Sequence, residues 1–290
     1  MKQVAFIGLG RMGHGMAGRY LDAGFQVALW NRSKTKGEDL IARGARWAAS
    51  PADAATGADA VVTMVADDEV SRRVWLGKDG AAAVMKRGTL AIECSTVSYR
   101  HALDMARELN SRGLTYIDSP VTGLPETAAT GQLTLLVGAD LADVEKARPF
   151  LTPISTTIRH FGKIGSGTVY KLINNMLGAI QIAGLAEGLA IAEQAGLDMK
   201  LVLEAVATGA AASPQVIRHS RRMAARDFAD IGFTPTLRLK DAVYAVALAE
   251  NLLAAPTIMS RAAVDAYKQA TAAMPDDDEG KMIELVSRPK

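Results

Sequence analysis

Apolar residues fall into two regimes along the chain. Up to about residue 161, short apolar runs alternate with stretches of helical spacing such as 100–112 and 140–151. The runs are Val4-Ala5-Phe6-Ile7, Phe25-Gln26-Val27-Ala28-Leu29-Trp30, Ala60-Val61-Val62-Thr63-Met64-Val65, Thr89-Leu90-Ala91-Ile92-Glu93, Thr115-Tyr116-Ile117 and Leu133-Thr134-Leu135-Leu136-Val137. This alternation predicts an α/β layer on a largely parallel sheet, with the later strands added at its edge in mixed orientation. After Gly162-Lys163-Ile164-Gly165-Ser166-Gly167 the strand signals stop, and alanine- and leucine-rich helical patterns follow. The sequence therefore divides into an α/β domain, 1–162, and an all-helical domain, 163–290. The first helix of the second part, at about 168–194, is apolar around much of its circumference, which predicts burial between neighbours. Pro214, Pro235, Pro256 and Pro275 punctuate the later segments, and the acidic run Asp276-Asp277-Asp278-Glu279 is expected as a solvated turn before the last helix.

The first apolar run leads into Gly8-Leu9-Gly10-Arg11-Met12-Gly13, which opens a helical pattern, and a second strand pattern follows. Strand, glycine loop, helix and strand within about thirty residues are the setting in which GxGxxG binds a dinucleotide. Gly8 permits the tight turn, Gly10 the approach of pyrophosphate to the backbone, and Gly13 the packing of helix on strand. Helix-start N–H groups would face the phosphates. At the end of the second strand, where an NAD site offers a ribose-binding carboxylate, stands Asn31, followed by Arg32, Ser33, Lys34 and Thr35. That turn suits a 2′-phosphate, so NADP(H) is the expected cofactor and NAD(H) the alternative. Arg32 is the expected phosphate ligand, whereas Lys34 and Lys36 read as solvated charge.

With 33 basic and 31 acidic residues, the formal charge of +2 offers no electrostatic case for a nucleic-acid or membrane partner. Hydrophobic residues make up 49% of 290, enough for two cores. The lone cysteine, Cys94, excludes an intrachain disulfide and reads as a buried structural thiol. His14, His101, His160 and His219 are scattered without metal-ligand spacing, so no metal is expected. Met1-Lys2-Gln3 leads straight into a strand, a start without a secretory pattern, and a cytoplasmic location is the expectation. The apolar stretch from Leu172 to Ala195 contains Asn174, Asn175, Gln181, Glu187 and Glu193, which argues against a membrane span.

Lys171, Asn174 and Asn175 form a polar island in that helix, and spacings of three and four put them on one face. A lysine on a helix is ordinarily a solvated charge. Leu172, Ile173, Met176 and Leu177 surround this one, so a buried ammonium able to move a proton is expected, with Asn175 orienting a substrate. Asn174 reads as a packing or backbone support.

The glycine loop, Asp118-Ser119-Pro120-Val121-Thr122-Gly123, Gly131-Gln132-Leu133, Gly165-Ser166-Gly167 with Lys171 and Asn175, and Lys240-Asp241 together resemble the β-hydroxyacid dehydrogenase family. That family includes 3-hydroxyisobutyrate dehydrogenase, tartronate semialdehyde reductase and glyoxylate/succinic semialdehyde reductases. The resemblance runs in order over nearly the whole chain. It implies an N-terminal Rossmann domain, a long interdomain helix and an all-α, 6-phosphogluconate dehydrogenase-like C-terminal domain that supports a homodimer or homotetramer. It further implies Lys171 as the catalytic lysine and Asn175 as a substrate-binding amide. Thr122 and Gly123 fall where the family has the Ser-Gly of a carboxylate-binding loop. Val65 and Ala66, in Met64-Val65-Ala66-Asp67, and Thr96 match cofactor-contacting positions. Lys240 matches a lysine reaching the cleft, although an ordinary surface lysine is its competing reading.

Two departures bear on the substrate. Leu124 stands where the family has a second glycine of the carboxylate loop, and Thr127 replaces a glycine before Ala128. An amide N–H survives either change, whereas close approach and positive φ need not. The expectation is an NADP(H)-dependent oxidoreductase interconverting a small β-hydroxy acid and its semialdehyde, with a reshaped carboxylate pocket. An imine reductase or a β-hydroxy amino acid dehydrogenase on the same fold is the neighbouring alternative, which the retained Lys171 weighs against for imines. A non-catalytic NADP-binding sensor or scaffold ranks below both.

Overall fold

The computed structural model describes residues 2–287. In order, the elements are β1 (Gln3–Ile7), α1 (Arg11–Asp22), β2 (Gln26–Trp30), α2 (Glu38–Ala42), β3 (Arg46–Trp47), α3 (Pro51–Ala55), β4 (Ala60–Thr63), α4 (Asp68–Leu76), β5 (Leu90–Glu93), α5 (Tyr99–Ser111), β6 (Thr115–Asp118), β7 (Val121–Thr122), α6 (Pro125–Ala129), β8 (Leu133–Gly138), α7 (Leu141–Leu151) and β9 (Ser155–Gly162). Helices follow: α8 (Ser166–Gln194), α9 (Met199–Thr208), α10 (Pro214–Ala225), α11 (Pro235–Leu252), α12 (Ile258–Ala273) and α13 (Ile283–Val286). Compact packing divides the chain into two units, the first up to Lys171 and the second from Leu172.

The first unit is a Rossmann layer, with strand order β3-β2-β1-β4-β5-β6-β8-β7 and β9 paired to β8. β1 through β6 run parallel, and the near-continuous apolar runs of β1, β4 and β5 are those of strands covered on both faces. Phe6, Val62 and Ile92 enter one buried cluster, and Ala5, Val61 and Ala91 the cluster on the opposite face. β8 is antiparallel to β6 and β7, the mixed edge expected from the sequence. The two-residue β3 and the long edge strand β9 were not anticipated: Arg159 and His160 interrupt the apolar pattern because β9 is partly exposed at the edge.

β6 and β7 pair with β8 in one unbroken register, Asp118 opposite Gly138, Val121 opposite Leu135 and Thr122 opposite Thr134. Pro120 interrupts the strand only nominally, since its carbonyl still accepts Leu136 N at 2.9 Å. On the other side the ladder with β5 closes with Ser119 N donating to Glu93 O. The segment 119–122 therefore runs on past the carboxyl end of the parallel strands, where ligands of open α/β sheets bind.

In the second unit Ala179, Ile182, Ala186 and Leu189 of α8 pack with Met223, Ala242, Tyr267 and Ile283. α8 is long and apolar enough, by length and composition, to cross a membrane, and half of its apolar window is buried. It is not buried all round as its composition suggested: Tyr170, Ile173, Leu177 and Ile191 recur at helical spacing on an exposed face. The acidic run is not a solvated turn throughout. Asp276 is exposed, but Asp278 and Glu279 are fully buried. Arg222 and Gly232 N donate to Asp278, while Arg238 binds Glu279 through two nitrogens at 2.7 and 2.6 Å and Tyr267 adds its hydroxyl at 2.9 Å. Those donors lie on distant stretches of chain, so local composition could not show them.

Candidate active site

The glycine loop connects β1 to α1. Gly8 has φ +101, and a Cβ there would lie 2.2 Å from Met64 O. A Cβ on Gly13 would lie 2.0 Å from Gly8 O, whereas one on Gly10 would meet nothing within 4 Å. Gly8 and Gly13 are thus required by packing, and Gly10 faces open space. Gly10 supplies no side-chain cap to α1, and no acidic residue occupies the helix's first turn. A pyrophosphate fits such a cradle, because backbone and helix dipole favour an anion there. Arg11 is exposed, Met12 half-buried and Leu9 buried.

Asn31 braces this loop. Leu9 N donates to its Oδ1 at 3.1 Å, and its Nδ2 donates to Ser33 O at 3.0 Å. Both ends of the amide thus work inside the chain, while Arg32 is exposed, as are Lys34 and Lys36 further along the turn. Ser33 Oγ lies 2.8 Å from Thr35 Oγ1. Val65 N donates to Ser95 Oγ at 2.7 Å, tying the loop after β4 to the loop after β5. Ala66 is exposed and Thr96 half-buried. His14 pairs with Asp39 on the surface at 2.9 Å, and Cys94 is buried, which pushes its thiol pKa well up.

At the β7–α6 turn, Gly123 has φ +144, and a Cβ there would strike Thr127 Oγ1 at 2.4 Å. Leu124, at φ −114, needs no glycine. Its N–H does survive the substitution, yet it donates to Thr127 Oγ1 at 2.7 Å. The amide counted from sequence as a carboxylate donor is therefore occupied by the replacement hydroxyl. Thr122 is half-buried and Gly123 exposed.

The first turn of α8 is fastened to the sheet by Asp118. Its buried carboxylate accepts Thr168 N at 3.0 Å and Thr168 Oγ1 at 2.6 Å. Burial raises its pKa to about 6 against the lowering effect of these bonds, with the neighbouring Glu93 adding to the rise. Lys171 follows Thr168 by one turn and is half-buried, less enclosed than its apolar flanks suggested. Asn175 comes one turn further on the same helix face.

Within the second unit, Asn175 is 5% exposed and donates Nδ2 to Asp241 Oδ2 at 2.6 Å. Its Oδ1 accepts from Asn174 Nδ2 at 3.0 Å, and its carbonyl accepts from Arg238 at 3.2 Å. Lys240 is half-buried, with Nζ 2.8 Å from Asp241 Oδ1 and 5.0 Å from the Tyr244 ring centre. One buried carboxylate thus holds both Asn175 and Lys240. Asp118 and Asp241 are the anchors that sequence reasoning passed over, each visible only as a motif neighbour of a residue given a role. Among the described residues, no group of three or more His, Cys, Asp or Glu could hold a metal ion.

A Rossmann sheet with a phosphate-binding glycine loop, followed by a long helix that carries a lysine and two amides and by further helices, defines a nicotinamide-dependent oxidoreductase. Residues 3–162 match the NAD binding domain of 6-phosphogluconate dehydrogenase, and residues 165–286 the NAD-binding domain of NADP-dependent 3-hydroxyisobutyrate dehydrogenase. The chain belongs to the β-hydroxyacid dehydrogenase family. It is 39% identical over 204 residues to the NAD-dependent L-serine dehydrogenase of Pseudomonas aeruginosa, covering 70% of this chain and 68% of that one. It is 31% identical to the chloroplastic glyoxylate/succinic semialdehyde reductase 2 of Arabidopsis thaliana, over 99% of this chain and 80% of that one. The structure of Mycobacterium tuberculosis 3-hydroxyisobutyrate dehydrogenase with L-serine superposes with a TM-score of 0.90 at 29% identity, covering 99% of this chain and 100% of that one.

Proposed function

We propose that the chain is an NADP(H)-dependent oxidoreductase that interconverts a small β-hydroxy acid and its semialdehyde. The observation that carries this reading is the single helix face bearing Thr168, Lys171 and Asn175, fastened at its start by Asp118. The nicotinamide supplies or accepts the hydride when bound. Lys171 Nζ gives a proton to the oxygen that gains charge in reduction, and as the neutral amine takes it back in oxidation. Asn175, held by Asp241, and Lys240 orient the reacting end of the substrate, while the Thr122 hydroxyl and Gly123 receive its carboxylate. Gly8 to Gly13 hold the pyrophosphate, Val65, Ala66 and Thr96 border the nicotinamide end, and Arg32 with Ser33 receives the 2′-phosphate.

A β-hydroxy amino acid is the second reading for the substrate. The likeness to proteins named for or bound to L-serine favours it. We further propose a cytoplasmic homodimer or homotetramer, supported by the exposed apolar face of α8, with neither nucleic acid nor membrane as a partner. The test is turnover of NADPH and NADH with semialdehydes, glyoxylate and cyclic imines, and of NADP and NAD with L-serine and 3-hydroxy acids. Turnover of a carboxylate-bearing semialdehyde, faster with NADPH, supports the first reading. Preference for L-serine supports the second, and imine-only turnover overturns both.

A further inference from the structure

Glu93, the last residue of β5, is fully buried and has no part in the reaction described above. Its carboxylate accepts four hydrogen bonds. Oε1 takes Thr63 Oγ1 at 2.7 Å and Ser95 N at 3.0 Å, and Oε2 takes Ser71 Oγ at 2.6 Å and Trp75 Nε1 at 3.0 Å. The donors come from the end of β4, from α4 and from the loop after β5, and all are neutral. A buried carboxylate without a cation is costly and is retained only where hydrogen bonds replace water. Each oxygen here faces one donor that cannot reverse, Ser95 N–H on one side and the Trp75 indole on the other. An amide of the same shape would turn its own N–H groups towards one of them.

The bonds continue outwards. Ser95, fixed through its N–H, accepts Val65 N on its hydroxyl at 2.7 Å. Ser71 meets His101 Nε2 of α5 at 3.0 Å. Met64 O packs against Gly8, the tight-turn glycine of the phosphate loop. One carboxylate therefore sets the loop of Val65 and Ala66 and the loop of Thr96 with respect to each other. These are the two loops assigned above to the nicotinamide end.

We propose that Glu93 is a positioning residue for the nicotinamide half of the cofactor, acting through Ser95 on Val65 and Thr96. The proposal rests on the dinucleotide reading of the glycine loop. It predicts a selective defect, because the adenosine half is bound by the β1–α1 and β2 turns, which Glu93 does not touch.

The test compares binding of NADPH and of 2′-phospho-ADP-ribose, which lacks the nicotinamide, with NADH and ADP-ribose run in parallel. Titration calorimetry and thermal unfolding are measured on the native protein, Glu93→Gln and Ser95→Ala. The expected result is about tenfold weaker dinucleotide binding, equivalent to about 1.4 kcal/mol, with fragment binding unchanged in both variants. Ser95→Ala removes only the acceptor of Val65 N, so it carries the test even where Glu93→Gln fails to fold. A variant with native thermal stability in which both ligands weaken alike, or in which neither weakens, overturns the proposal. Failure of the native protein to bind any of the four ligands overturns the underlying dinucleotide reading instead.

Discussion

The backbone N–H of Leu124 donates to the Thr127 hydroxyl, and that hydroxyl donates in turn to Leu124 O, each at 2.7 Å. The turn following Thr122 and Gly123 is thus closed on itself. Thr127→Val keeps the shape and frees the amide. The expected outcome is a KM for carboxylate-bearing semialdehydes lowered by about fivefold, equivalent to about 1 kcal/mol for one hydrogen bond, with kcat little changed. Steady-state kinetics across a chain-length series checks this, and Leu124→Gly in the same series should change the substrate ranking.

Lys171→Ala should lower kcat by about 10²- to 10⁴-fold, the usual contribution of a positioned acid–base group, while NADPH affinity measured by fluorescence stays near native. Lys171→Arg should not restore turnover, because a guanidinium does not release its proton near neutral pH. Native-like turnover in either variant would remove the lysine from the reaction.

Arg32 is exposed just beyond β2, next to the braced Asn31. Arg32→Ala should raise KM for NADPH by about ten- to a hundredfold, as for a lost charge-assisted bond, and leave KM for NADH unchanged. Asn31→Asp should shift preference towards NADH, since its carboxylate can still accept Leu9 N but repels a 2′-phosphate. Equal effects on the two coenzymes would contradict the NADP(H) assignment.

Burial raises the Asp118 pKa from 3.8 to about 6, despite two bonds from Thr168. A carboxyl raised on folding contributes stability that is complete below its unfolded value and is lost as pH rises through the folded value. Between pH 4 and 6 this group should therefore favour folding on acidification, by on the order of 3 kcal/mol in full. Asp118→Asn imitates the protonated form and should flatten that part of the profile. Urea unfolding of both proteins at intervals from pH 4 to 7 reads the difference.

Arg238 is buried and bound to Glu279 through two nitrogens, above the Phe233 ring at 4.5 Å. Arg238→Met leaves a carboxylate buried without its cation and should cost about 3 to 5 kcal/mol. Adding Glu279→Gln should recover part of that loss in equilibrium unfolding. A cost below about 1 kcal/mol for the single change would mean the pair contributes little.

Local patterns carried the glycine loop, β1, β2 and the start of the helical unit, because each depends on neighbours within a turn or a strand. The Asn31 brace was not legible, since it joins residues 22 apart across parallel strands. Glu93 looked like the polar end of a strand, and only the fold brings Thr63, Ser71 and Trp75 to it. Composition misled for α8 and for Asp278 and Glu279. An apolar helix does not say which face will be covered, and an acidic run does not say that Arg222 and Arg238 will fold over it. Leu124 and Thr127 were recognised as departures, yet their mutual bond depends on the conformation of the turn.

The unbroken pairing of β6 and β7 against β8 makes the edge of the sheet a ruler for the loop proposed to receive the substrate. Side chains alternate faces along a strand. Insertion of one residue between Asp118 and Val121 would present Val121 where Thr122 now stands, and the loop would offer a hydrocarbon in place of a hydroxyl. The tip is held as closely as the stem, since Ala128 of α6 is fully buried and a Cβ on Gly15 of α1 would lie 2.7 Å from Ala129 N.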